Sequence, residues 1–131
     1  MAKQFFYHGK SIAELKQMED SQFIALLPAR QRRKLKRGLA AEHKLLLKRI
    51  DMVLKGKSKK PIKTHCRDMI VLPKMVDLTI HIHSGNRYVQ VMIIPQMIGT
   101  YLGEYSLTRS RVQHSAPGVG ATRSSAAASV K

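Results

Sequence analysis

Histidine and cysteine are the side chains best suited to proton transfer, nucleophilic attack or metal ligation, and this chain has six of the first and one of the second. His81 and His83 stand two residues apart, so in a strand they share a face at a spacing that could seat a metal ion. A catalytic zinc needs three protein ligands, and no nearby carboxylate or thiolate completes the set. His65 beside Cys66 suggests an activated thiol, but that chemistry requires a base held by a third group, and acids are scarce. Gly9-Lys10-Ser11 and Gly56-Lys57-Ser58 resemble the end of a P-loop. That motif needs a further glycine five residues earlier, where Gln4 and Asp51 stand, and no buried apolar strand leads into either copy. Histidine-driven RNA cleavage would need a paired acid and base in one pocket. The expectation is therefore no catalytic residue, no metal site and no cofactor, with His81 and His83 as surface groups or donors to phosphate.

What the chain has in excess is positive charge. Residues 21–67 hold fifteen Lys and Arg against Glu42 and Asp51, whereas residues 68–108 sum to −1 within a total of +16. Solubility needs only a modest net charge of mixed signs, so a segregated excess points to a polyanion, and to phosphate neutralisation as its chemistry. Arginine suits that role because its planar fork bonds phosphate bidentately and stacks on bases. With no Trp and few other aromatics, no surface aromatic set for base stacking is expected.

These charges need elements to position them. Ser11 and Glu14 have the spacing of a capping box, opening a short helix with Ile12, Leu15 and Met18 on its apolar side. Asp20 and Ser21 could cap a second, with Phe23, Ile24 and Leu27 inward before Pro28. Residues 28–38 run from Pro to Gly as a brief helix whose only large apolar residue is Leu35, so its order is expected to depend on an anionic partner. The longest helical pattern covers 39–55, with Leu39, Leu46, Ile50, Val53 and Leu54 on one side and Lys44, Lys48 and Lys55 on the other. Asp51 is placed to pair with Lys55. A basic loop, 56–61, follows.

Strands are expected at 69–73, 78–83 and 87–94, the last two joined by Ser84-Gly85-Asn86. Leu78, Ile80 and Ile82 face one way with Val89, Val91 and Ile93, and the 39–55 helix covers that face. Residues 109–131 contain no acid and no apolar periodicity, which predicts a disordered tail in isolation. A single cysteine excludes an internal disulfide and fits a reducing compartment. Without a secretory pattern at its start or any window long enough to span a bilayer, the chain is expected in the cytoplasm, with no membrane partner.

Several of these segments carry a family pattern. Ser84-Gly85-Asn86, Ile93, Ile98-Gly99, Leu102-Gly103-Glu104-Tyr105 and Thr108, at these intervals, resemble the small-subunit ribosomal protein S-nineteen family. Residues 61–65 and 67–73 resemble it too, and 29–33 with 37–39 resembles its archaeal and eukaryotic branch, called S-fifteen in eukaryotes. The resemblance implies a non-catalytic structural protein in the head of the small ribosomal subunit, bound to the 3′ domain of small-subunit ribosomal RNA. It implies a neighbour of the S-thirteen family, proximity to the large subunit at a bridge, and a tail reaching toward the decoding site with its tRNA and mRNA. At the matching positions it makes Lys63, His65, Arg67, Arg87 and Arg109 expected RNA contacts.

Residues and resemblance together give an α+β fold: a small three-stranded sheet with a C-terminal hairpin, packed by N-terminal helices, plus an extended basic C-terminal tail. The expected divisions are an N-terminal helical extension with a basic arm at 1–38, a core at 39–108 and a tail at 109–131. The expected RNA contacts are Arg30, Arg32, Arg33, Lys34, Lys36 and Arg37 on the arm, with Lys44 and Lys48 on the long helix. Lys57, Lys59, Lys60, Lys63, Thr64, His65 and Arg67 follow, then Asn86 and Arg87 at the hairpin, and Arg109, Arg111, His114 and Arg123 in the tail. No homo-oligomer is expected. The alternative is a basic DNA-binding or chromatin-type protein, which would need a base-reading recognition helix where this chain offers a short, all-round charged one.

Overall fold

The computed structural model describes residues 5–113, 118, 121 and 123–126. A two-stranded hairpin, β1 (Phe6–Tyr7) and β2 (Lys10–Ser11), opens the described chain; sequence reasoning missed it. Ser11 then caps α1 (Ile12–Gln17), its backbone amide donating to Glu14 Oε2 at 3.0 Å while the Glu14 amide donates to Ser11 Oγ at 3.4 Å. This is the expected reciprocal cap. Helix α2 (Asp20–Leu26) starts one residue earlier than its expected cap, from Glu19, with no side-chain cap bond. Pro28 is likewise the N-cap of α3 (Ala29–Lys36) rather than its first helical residue.

Helix α4 (Ala41–Leu54) buries His43, Leu46 and Ile50. Its end differs from expectation. Leu54 is exposed, and Asp51 pairs with Lys74 at 3.5 Å instead of with Lys55. The sequence reading lacked that partner because it lies 23 residues away, brought near only by the fold.

The three-stranded sheet has the order β3-β4-β5, with β4 (Thr79–His83) parallel to β3 (Ile62–Thr64) and antiparallel to β5 (Tyr88–Met92). The expected hairpin forms, turning at residues 84–87, where Ser84 donates its amide to the Arg87 carbonyl at 2.8 Å. The third strand is not the expected one. Residues 69–72 are all buried, so they lack the half-buried alternation of a sheet strand. They pair with the 98–103 loop: Val71 donates to Thr100 O at 2.8 Å, Gly99 to Val71 O at 3.0 Å and Leu102 to Met69 O at 2.9 Å. Pro73 then begins a 3₁₀ turn, Pro73–Met75. With that segment committed to the interior, the short run after Pro61 supplies the edge strand.

One core joins the layers. Leu15 of α1, Phe23 of α2, Leu27, and Leu46 and Ile50 of α4 belong to the same buried cluster as Ile62, Ile80, Ile82, Val91 and Ile93 of the sheet side. The helices α1 and α2 thus contribute side chains to the same core. Beyond the 3₁₀ turn Leu102–Tyr105, residues 109–113 are exposed and without regular structure, and α5 is a single turn, Arg123–Ala126. Among the described residues no helix is long and apolar enough to cross a membrane.

Candidate nucleic-acid interface

Helix α3 has no buried residue, yet three internal attachments hold it. Leu35 is half-buried against the core. Arg32 donates from Nε and Nη2 to the Leu27 carbonyl at 3.3 and 3.0 Å, satisfying the C-terminal end of α2. Lys34 donates to Asp68 Oδ2 at 2.6 Å and to the Asp68 carbonyl, while His43 Nε2 lies 3.0 Å from Asp68 Oδ1. The Lys34 bond, aided by His43 and opposed by partial burial, holds the Asp68 carboxyl down at about 2. The expectation that only an external anion could order α3 is thus corrected: the protein supplies acceptors for two of the six cations in residues 29–37.

The other four, Arg30, Arg33, Lys36 and Arg37, are exposed. Arg30, Arg33, Lys34 and Arg37 line an open groove of about 1090 Å³, whose far wall is Arg67, Asp68, Tyr101, Gly103 and Glu104. The Arg30 guanidinium lies 5.2 Å and the Lys34 ammonium 5.4 Å from the centre of the Tyr101 ring. A second concavity, about 310 Å³, is lined by Arg49, Ser58, Lys60 and Lys63 among others. Lys44 and Lys48 are exposed on α4, Lys57 and Lys59 in the loop after it, and Asn86 and Arg87 at the hairpin turn.

Two candidates face inward. Thr64 is buried, and its hydroxyl accepts from the Cys66 amide at 3.0 Å. Arg67 is half-buried. Its Nη1 donates to His83 O at 2.7 Å and Ser106 Oγ at 3.2 Å, and its Nη2 donates to Gly103 O at 2.9 Å and to Ser106 O. These bonds tie the end of β4 to the 103–106 turn. For both residues the side chain makes an internal bond, because main-chain groups lie within its reach. In the tail, Arg109, Arg111 and Arg123 are exposed, and His114 lies outside the described residues.

Sequence reasoning missed His43, the buried partner of Asp68; the signal was present in the 43, 46, 50 stripe of α4. It also expected no surface aromatic cluster. The fold assembles one on the outer sheet face from His65, His83 and Tyr88, with the His65 and His83 ring centres 4.2 Å apart. Among the described residues, no group of three or more His, Cys, Asp or Glu gathers to hold a metal ion.

A neutral core, one open cationic groove and basic side chains on several exposed elements define a protein that binds polyanions through its surface and is organised as a scaffold. Its chain matches the family model described as Ribosomal protein S19 over residues 33–114, well over half its length, and belongs to that family. It is a ribosomal protein with a structural role in the small subunit, associated with ribosomal RNA, from a family that is structural and non-enzymatic. The matched interval takes in the C-terminal half of α3, α4, the three-stranded sheet and the Arg67 clamp.

Proposed function

We propose that this protein binds the 3′ domain of small-subunit ribosomal RNA, in the head of the subunit, and supports head assembly. What carries the reading is the exposed set Arg30, Arg33 and Arg37 along one groove, with Lys36 exposed beside them, on a segment the protein already holds in place. A prepositioned cation row loses little freedom on meeting phosphate, and each neutralised phosphate releases counterions. Lys44, Lys48, Lys57, Lys59, Lys60, Lys63, Arg87, Arg109, Arg111 and Arg123 extend this surface, with Asn86 and His65 as further polar contacts. Functionally, residues 1–38 act as a branch-specific arm, 39–108 as the common body and 109–131 as the tail. The tail reaches toward the decoding site, its tRNA and mRNA, while the body meets a neighbour of the S-thirteen family and lies near a bridge to the large subunit. The assembled particle is cytoplasmic.

Binding of the full chain to transcripts of the separate ribosomal RNA domains tests the assignment. The 3′ domain should bind preferentially, and engagement of roughly 6 to 10 phosphates should lower affinity about 10³- to 10⁵-fold between 50 and 200 mM salt. Equal affinity for the other domains at every salt concentration would overturn it. Removing residues 115–131 should impair decoding more than assembly, and unchanged translational accuracy would remove the tail from the proposal.

A further inference from the structure

The outer face of the sheet carries a cluster that phosphate neutralisation leaves without a task. Alternation places every second residue of β3, β4 and β5 there: Lys63 pairs in register with His81, His81 with Gln90, and His83 with Tyr88. Continuing the chain just past β3 brings His65 level with His83, and the two imidazoles stack with ring centres 4.2 Å apart and planes inclined by 26°. Tyr88 meets both edge-on, at 5.5 Å from His65 and 4.9 Å from His83. Its hydroxyl lies 2.7 Å from His65 Nε2, and the Gly85 amide donates to His83 Nδ1 at 3.2 Å, fixing the second ring. The Lys63 ammonium lies 5.4 Å from the centre of the Tyr88 ring.

Such a cluster could be no more than a cap on the sheet's end. Its accessibility argues for more: His65 is exposed, and Tyr88 is 38 % exposed. Rings held by edge contacts and two hydrogen bonds have already lost their rotational freedom, so a flat ligand meets a preformed surface. Positive charge is at hand in Lys63, whose ammonium lies over the Tyr88 ring, and in Arg87, the exposed residue that precedes Tyr88. Planar rings on a sheet face beside cations form the combination that takes unstacked bases while neutralising their phosphates.

We infer that the His65–His83–Tyr88 cluster receives an unpaired RNA base, stacked on the imidazole pair, with Lys63 and Arg87 serving the flanking phosphates. This deepens the RNA-binding reading and rests on it. It also changes the role of His65 from a phosphate donor to a stacking ring, and adds His83 and Tyr88 to the interface.

The test uses the full chain and a short unpaired RNA carrying a single 2-aminopurine, alongside the same RNA annealed to its complement. Binding of the unmodified protein should quench the fluorescence of the unpaired probe. His65→Ala should abolish the quench and weaken single-strand binding about 5- to 150-fold, while duplex binding stays within about 2-fold. His65→Phe, which restores a ring, should recover the quench and control for folding. A quench surviving in His65→Ala, or an equal loss on both RNAs, would overturn the inference. So would variants that bind RNA normally but fail to enter the subunit, which would assign the cluster to a protein contact. Failure of the head assignment is distinct: it would appear as lost preference of the unmodified protein for 3′-domain RNA, whatever the fluorescence shows.

Discussion

The loop around Arg67 and the outer face of α3 are both basic in sequence, yet one turns its charge inward and the other outward. Arg67 sits among the carbonyls of His83, Gly103 and Ser106, and its guanidinium donates to all three. Arg30, Arg33 and Arg37, across the groove whose other wall includes Arg67, are exposed to solvent. A cation's role is thus set by the acceptors around it. Where buried backbone oxygens lack donors, an arginine becomes part of the framework; where solvent fills the space, it stays available for phosphate.

Substitution can break this contrast from either side. Arg67→Ala strands several carbonyls and should lower stability by on the order of 3 kcal/mol in chemical denaturation. The converse triple variant, Arg30→Gln with Arg33→Gln and Arg37→Gln, should shift stability by less than about 0.5 kcal/mol. In filter-binding titrations it should weaken RNA binding about 100-fold near 0.1 M salt and flatten the salt dependence by roughly 2 to 3 logarithmic units per decade. If the triple variant unfolded and Arg67→Ala instead lost only RNA affinity, the assignment of the two regions would be reversed.

Smaller changes sharpen the framework side. Gly99 has φ +84, and a Cβ there would approach Tyr7 Oη to 2.9 Å and Leu27 Cδ2 to 3.0 Å. Gly99→Ala should therefore lower the unfolding free energy by about 1 to 3 kcal/mol, read as a drop in thermal midpoint. At Gly103 the restriction is contact instead of torsion, since a Cβ would meet the Arg67 carbonyl oxygen at 2.9 Å.

The smallest effect belongs to Asp68, where framework and groove meet. Its carboxyl titrates at about 2 in the folded protein against an ordinary 3.8, so the unfolded chain binds that proton more tightly. The stabilisation is complete above about pH 4 and disappears as the pH falls toward 2. Because Asp68 is 67 % exposed, solvent screening keeps the contribution below about 1 kcal/mol. Asp68→Asn should be slightly less stable than the parent at pH 7, with the urea midpoints converging near pH 2.

Much of the architecture was legible in local pattern. The Ser11–Glu14 box, the four helices and the 84–86 turn each depend on residues within a few positions of one another, and each formed. Segment 69–73 misled because an apolar run reads alike whether it lies in a sheet or crosses the interior. Family intervals marked Gly99 and Gly103, but the reasons for glycine there, a torsion at one and a neighbour's backbone at the other, appeared only with packing. The aromatic cluster was unreadable for a related reason: the hairpin pairs His83 with Tyr88 locally, but His65, just past β3, joins them through a parallel pairing that no local rule fixes.

Charge segregation, capping and hairpin periodicity were determined by the sequence itself, since each is a property of residue type at short spacing. Tertiary structure alone decided which cations face solvent, where Lys34 finds Asp68, and that three scattered rings meet on one face. Those outcomes depend on acceptors and neighbours distant along the chain, and a side chain's energy is set by what surrounds it in space.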